Sequence, residues 1–209
     1  MPEASSAWFL KPTGEALRSA YKKGHAATSV LLAERWLRDH PEDLKAIHYY
    51  AEMLYMLERY EEAIAVYTDA IERFEDAHWG LYNQVGHLYR RRGDFAISEL
   101  WYQKAIAANP EEAQSYVFLG AAQALQGKLK EAEETYRRAT QCPEGWIDEA
   151  YCKLALVLRS QGRFAEAARC LRKALEIDPK YAHAREVLED VEGALALLAD
   201  DVQVGADGS

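Results

Sequence analysis

The sequence predicts an all-α protein, a row of antiparallel helix pairs of like shape. Three observations predict it: a repeat of 34–35 residues, helical spacing of bulky and small residues inside each repeat, and prolines confined to the joints. The repeat is measured on the alanine that ends the second segment of each unit. It falls at Ala70, Ala105, Ala139 and Ala174, at intervals of 35, 34 and 35. A bulky residue stands three positions before it (Tyr67, Tyr102, Tyr136, Leu171), and a small one four positions earlier still (Ala63, Ser98, Ala132, Ala167). The position between the two segments reads Glu58, Gly93, Gly127 and Gly162. These registers are independent and they agree. A stack must offer each neighbour the same surface, which is why such a chain repeats itself.

The elements follow in order. Residues 1–43 hold a degenerate first pair, with helices over Gly14–Lys23 and His25–Asp39; Gly24 and Pro41 stand 17 apart, as do Gly93 and Pro110. Its second helix carries Ser29, Ala33 and Trp36 in place of the small residue, the aromatic and the alanine. A terminal unit is expected to be atypical because one of its faces meets water. The next unit, 44–78, starts its stripe with Ile47 and has Glu58 at the turn where the others have glycine. Units 79–112, 113–147 and 148–181 are regular: Tyr82, Val85 and Tyr89 are matched by Tyr116, Leu119 and Gln123, then by Tyr151, Leu154 and Leu158. That i, i+3, i+7 spacing is one stripe of a helix. Beside its middle residue sits a small one, Ala51, Gly86, Gly120 or Ala155. Glycine inside a helix costs about 1 kcal/mol against alanine, so close approach of a packing partner must offset it. Pro41, Pro110, Pro143 and Pro179 all lie between units, where their missing N–H breaks no helix. Residues 182–199 read as a capping helix, and 200–209 as a polar, disordered tail.

The pattern aromatic-x2-Leu/Val-Gly/Ala-x2-aromatic, followed by the turn glycine, Ala, Tyr and Ala-x4-Pro, resembles the tetratricopeptide repeat (TPR). The resemblance implies a right-handed superhelical solenoid of about five helical pairs plus the C-terminal cap, with first helices lining a concave groove. It further implies a non-catalytic adaptor or scaffold for protein–protein interaction, holding an extended peptide or a partner's helix. The stripe next to the core stripe then faces the groove: His48, Glu52 and Tyr55, then Asn83, His87, Arg90 and Arg91, then Val117, Phe118, Ala121 and Leu125 with Ala124, and last Arg159 with Cys152 and Leu156. Such a groove is mixed at one end, basic near His87, Arg90 and Arg91, and apolar toward Ala121 and Leu125. It suits a peptide carrying an acidic residue beside an apolar anchor. The family's chaperone clamp needs lysine, asparagine and basic residues where this chain has His48, Glu52, Gln84, Gln114 and Phe118, so that specialisation is not expected.

Bulk properties limit the alternatives. A net charge of −9 argues against binding nucleic acid through the overall field. Cys142, Cys152 and Cys170 form no CxxC pair or zinc spacing and are expected to be small thiols in a reducing compartment. The N-terminus shows no signal-peptide pattern and the longest apolar runs fall short of a membrane span, so a cytoplasmic protein is expected. No activated nucleophile, phosphate loop or ligand triad is visible; catalysis, metal and cofactor are not expected. Glu61-Glu62 and Glu133-Glu134 are expected on the outer faces of second helices as ordinary solvating charge. The alternative function is self-assembly, in which a terminal segment such as Trp8-Phe9-Leu10, or the cap helix, docks into another copy's groove.

Overall fold

Helices build the whole of what the computed structural model describes, residues 13–74 and 79–207, with side chains through 199. The Trp8-Phe9-Leu10 segment lies outside these residues. Among them there are eleven helices and no strand beyond one isolated bridge between Glu112 and Glu144. The chain divides into two compact units, 1–92 and 93–209.

The first unit contains α1 (Gly14–Lys22), α2 (Ala26–Asp39), α3 (Leu44–Met56), α4 (Tyr60–Arg73) and α5 (Trp79–Arg92). Each helix packs on the next, and α1 also touches α3. Leu17 and Ala20 of α1 meet Leu32 and Ala33 of α2 and Ala46 of α3. Trp36 ties the three together: a Cβ on Gly14 would lie 3.4 Å from its ring, and its Nε1 donates to Asp43 at 2.9 Å. Asp43 is the N-cap of α3 and accepts from the Lys45 and Ala46 amides. Burial pushes its carboxyl upward, but the bonds from Trp36, Ala46 and Lys45 outweigh this and hold it below the usual aspartate range.

The second unit contains α6 (Phe95–Ala108), α7 (Ala113–Leu125), α8 (Leu129–Ala139), α9 (Ile147–Ser160), α10 (Phe164–Ile177) and α11 (Ala182–Asp207). Neighbours in sequence again pack together, and α7 touches α9 as α9 touches α11. First helices therefore lie side by side in each unit, and that is the crowded side. The repeated positions form the core: Ala132, Tyr136 and Ala139, then Ala167, Leu171 and Ala174, are all at 2% exposure or less. Ala184, Val187 and Val191 of α11 complete it, as a cap should. The cap helix continues past Ala199 to Asp207, through positions read from composition as a disordered tail.

The turns explain the glycines. Gly24, Gly127 and Gly162 have φ of 68°, 75° and 74°, and the residue after each sends its amide back to close the preceding helix: His25 to Ala20, Lys128 to Gln123, Arg163 to Leu158. This is a Schellman-type C-cap, which needs a left-handed residue. Glu58 makes the same turn at φ 61°, with Arg59 N–H reaching Leu54 O.

One expectation is corrected. Glu133 is not solvating charge; it is buried at 6% exposure, and Glu99, one repeat earlier, is buried at 8%. Glu133 accepts from Gln161 Nε2 at 2.9 Å and Arg163 Nη1 at 2.7 Å. Glu99 accepts from Gln126 and, at 2.8 Å, from Lys128 Nζ. In both cases the turn Gln-Gly-Lys/Arg of the following repeat supplies the donors. Burying a carboxylate is tolerable only with such partners. Glu61, Glu62 and Glu134 are exposed as expected.

Candidate functional site

On the first-helix face of the first unit, the side chains of α3 and α5 interlock. His48, Glu52 and Tyr55 of α3 are half-buried, as are His87 and Arg90 of α5, and Arg91 is exposed. Arg91 Nη1 donates to both oxygens of Glu52, at 3.1 and 3.0 Å, and its guanidinium lies 3.6 Å from the centroid of the Tyr55 ring. The basic stretch expected from Arg90 and Arg91 is therefore partly neutralised by Glu52, a pairing across 39 positions. Arg92 pairs with Glu61.

The two histidines are held neutral. Arg90 Nη2 lies 3.2 Å from His87 Nδ1. Arginine can only donate, so Nδ1 accepts and the ring proton resides on Nε2. Burial, then the nearby Arg90 and Arg91 charges, push His87 down to about 4. His48 Nδ1 lies 2.8 Å from Tyr67 Oη. Tyr67 is 1% exposed, and its phenol proton is best satisfied by donating to that nitrogen. Burial also lowers His48, against the opposing pull of Glu52.

Three residues of this cluster were missed by sequence reasoning. Tyr67 was assigned to the core, correctly by burial, but its hydroxyl reaches His48. Tyr21 of α1 stacks on Tyr49 of α3 with centroids 4.1 Å apart, and Tyr21 also approaches His48 at 6.2 Å. Only the length of these side chains hinted at such reach. A cleft of about 550 Å³ between α1 and α3, lined by Leu17, Ala46, Tyr49, Arg18 and Lys45, adjoins the stack. Asn83, expected on the face, is buried at 3% exposure beneath it.

On the first-helix face of the second unit, Ala121 and Ala124 are half-buried and Leu125 is 56% exposed. Phe118 is half-buried between Tyr102, 5.5 Å away, and Trp146, which meets it edge-on at 5.3 Å. Val117 and Cys152, at 3% and 0%, lie within the core. Arg159 is paired with Asp190 of α11 at 2.8 Å. This face is thus apolar along α7 and charge-paired where α9 meets α11.

All three thiols are free, and burial raises each above the usual cysteine value. Among the described residues no group of three or more His, Cys, Asp or Glu is placed to hold a metal. Among them, too, no helix is long and apolar enough to cross a membrane.

Comparison with known proteins agrees with this architecture. One tetratricopeptide repeat family model matches residues 148–181, and a second matches 15–78 and 85–145. Human tetratricopeptide repeat protein 7B is 29% identical over 160 residues, 77% of this chain. The human protein O-mannosyl-transferase TMTC2 is 32% identical over 82 residues, 38% of this chain. The chain spans only 17% and 10% of those two proteins. Among solved structures, the thermophilic TPR protein TTC0263 of Thermus thermophilus superimposes with a TM-score of 0.62 at 23% identity, covering 85% of this chain and 95% of that one. YrrB, a TPR protein with an unusual peptide-binding site, gives 0.57 at 17% identity, covering 83% of this chain and 88% of that one. The measured repeat, the paired helices with their Schellman turns, and matches over most of the length lead to one conclusion: the chain belongs to the tetratricopeptide repeat family.

Proposed function

We propose that this chain is a non-catalytic adaptor that holds a partner's extended peptide or helix against its first helices. A protein–protein interaction scaffold is the general role of the TPR fold. The observation that carries the finer reading is the arrangement on α3 and α5. There, Tyr55, Glu52 and Arg91 are locked together beside two neutral histidines before any partner arrives. Pre-ordered aromatic and polar side chains lose little entropy on binding and so favour recognition. The unusual peptide-binding site of YrrB supports a peptide as the kind of partner.

The partner's chemistry follows from each face. On the first unit, Arg90 and Arg91 outweigh Glu52, which suits an acidic residue of the partner. On the second unit, Ala121, Ala124 and Leu125 leave room for an apolar anchor. Charge reversal at Arg90 and Arg91 together tests the acidic match. The double variant loses partner capture in a pull-down, and the salt dependence of the remaining binding flattens. Unchanged capture and unchanged salt dependence overturn it.

A second reading is self-assembly through the cap helix, favoured by Leu197 and Leu198, which are 68% and 51% exposed on α11. Light scattering over a wide concentration range separates the two. A monomer at high concentration leaves the adaptor; a mass rising with concentration favours assembly.

A further inference from the structure

We infer that Arg91 is a pre-aimed carboxylate fork: Glu52 and Tyr55 hold its guanidinium flat so that its open edge meets a carboxylate of the bound partner. The inference rests on the peptide-binding reading above and names the group that one residue recognises.

A guanidinium is a planar fork with five N–H donors, two on each Nη and one on Nε. Both contacts from Glu52 fall on Nη1. Among the described residues no acceptor meets Nε or Nη2. The Arg91 side chain keeps 30% of its surface open, while Glu52, at 19%, is the more buried partner. The open edge, Nε–H beside one Nη2–H, is the pair of parallel donors that matches a carboxylate in bidentate fashion.

Two restraints fix the plane. Tyr55 supports one face of the guanidinium at 3.6 Å, and Glu52 anchors the far corner. Tyr55 is itself braced by Tyr60, whose ring centroid lies 4.8 Å away. The neighbouring arginines are differently engaged: Arg90 donates into His87, and Arg92 meets Glu61. With the histidines neutral, the face keeps a positive excess in a chain whose net charge is −9. An anionic group of the partner is therefore drawn here. A lysine at this position would supply the charge without the planar fork.

The test uses the full chain with 15N-labelled arginine, the Arg91 Nε–H signal being assigned by its loss in Arg91→Lys. Sodium acetate is titrated against sodium chloride at equal ionic strength and against N-methylacetamide. The expected result is a saturable shift of the Arg91 Nε–H signal with acetate and with neither control. In Tyr55→Leu, shown to be folded by its melting curve, the acetate response weakens about five-fold as the guanidinium loses its shelf. N-acetyl-aspartyl-leucine amide carries only a side-chain carboxylate and N-acetyl-alanyl-leucine only a terminal one, so the stronger of the two identifies the source. A signal that follows ionic strength alone overturns the inference, as does a folded Tyr55→Leu with an unchanged acetate response. An acetate response in a chain that captures no peptide leaves the fork standing and sinks the peptide-binding reading. Peptide capture with Arg91 Nε–H unmoved does the reverse.

Discussion

The ring of Tyr136 fills the space that a side chain on Gly120 would need: a Cβ there would lie 2.7 Å from Tyr136 Cε1 and 2.8 Å from Cζ. Gly120 sits in α7 and Tyr136 in α8, so the missing methyl is what lets the two helices of this pair close around the ring.

Gly120→Leu therefore destabilises the protein by at least ~1–3 kcal/mol through overpacking, although leucine is by far the better helix former. Tyr136→Ala, at a position 2% exposed, costs ~3–5 kcal/mol as a buried aromatic truncation. Thermal or urea melts check both. A Gly120→Leu variant that melts like the parent contradicts the packing described.

Glu58 holds the turn between α3 and α4 at φ 61°, where the corresponding turns at Gly24, Gly93, Gly127 and Gly162 use glycine. A left-handed non-glycine residue costs ~1–2 kcal/mol, partly offset by glycine's greater freedom in the unfolded chain. Glu58→Gly is expected to stabilise by about 0.5–1 kcal/mol. Glu58→Val is expected to destabilise, because a β-branched residue tolerates positive φ poorly. Equal melting midpoints for parent and Glu58→Gly would count against a strained turn.

Glu133 links α8 to the turn before α10. Burial raises its carboxyl, but donors from Arg163 and Gln161 and the Arg137 and Arg163 charges more than compensate, and its pKa is lowered. A lowered carboxyl contributes stability that is present above the unfolded pKa of about 4.3 and is lost as pH falls through the folded value. Glu133→Gln keeps the shape and removes the charge. It costs ~1–3 kcal/mol at pH 7, and its penalty shrinks below pH about 4. A penalty that does not change with pH would show that the charge is not what matters.

His87 provides a second pH signature of the same sign. Its folded pKa is depressed to about 4 by burial and by Arg90 and Arg91. Between the unfolded value of about 6.5 and the folded one, the unfolded chain binds the extra proton. The stability carried by neutral His87 is thus complete above about pH 6.5 and declines as pH falls toward 4. Histidine NMR titration checks this directly, with His87 expected to remain an Nε2–H tautomer at pH 6. A midpoint near 6.5 for His87 would contradict the packed α5 site.

Much of the fold was legible because its rules are local and periodic. Ala70, Ala105, Ala139 and Ala174 recur where helices touch, and all four are at 0% exposure. The extension of α11 to Asp207 was not legible, since the polar, glycine-containing residues after Ala199 read as a tail. Long-range polar pairs were equally hidden. Glu99 and Glu133 look like surface charge until the turns at Gln126–Lys128 and Gln161–Arg163 fold back onto them. A signal was present, since both carboxylates precede a Gln-Gly-basic turn by nearly the same distance. At the candidate site, spacing placed Glu52 and Arg91 on first helices, but it did not reveal that Glu52 restrains Arg91. It also placed Asn83 and Val117 on a surface from which packing withdraws them.

Photocrosslinking tests the central claim most directly, because it asks which surface a partner touches. A photoreactive residue is placed at Tyr55 on α3, at Phe118 on α7, and at the exposed Glu134 on the outer side of α8. The account predicts that a partner polypeptide is captured from Tyr55 or Phe118 and not from Glu134. Capture from Glu134 alone would contradict it.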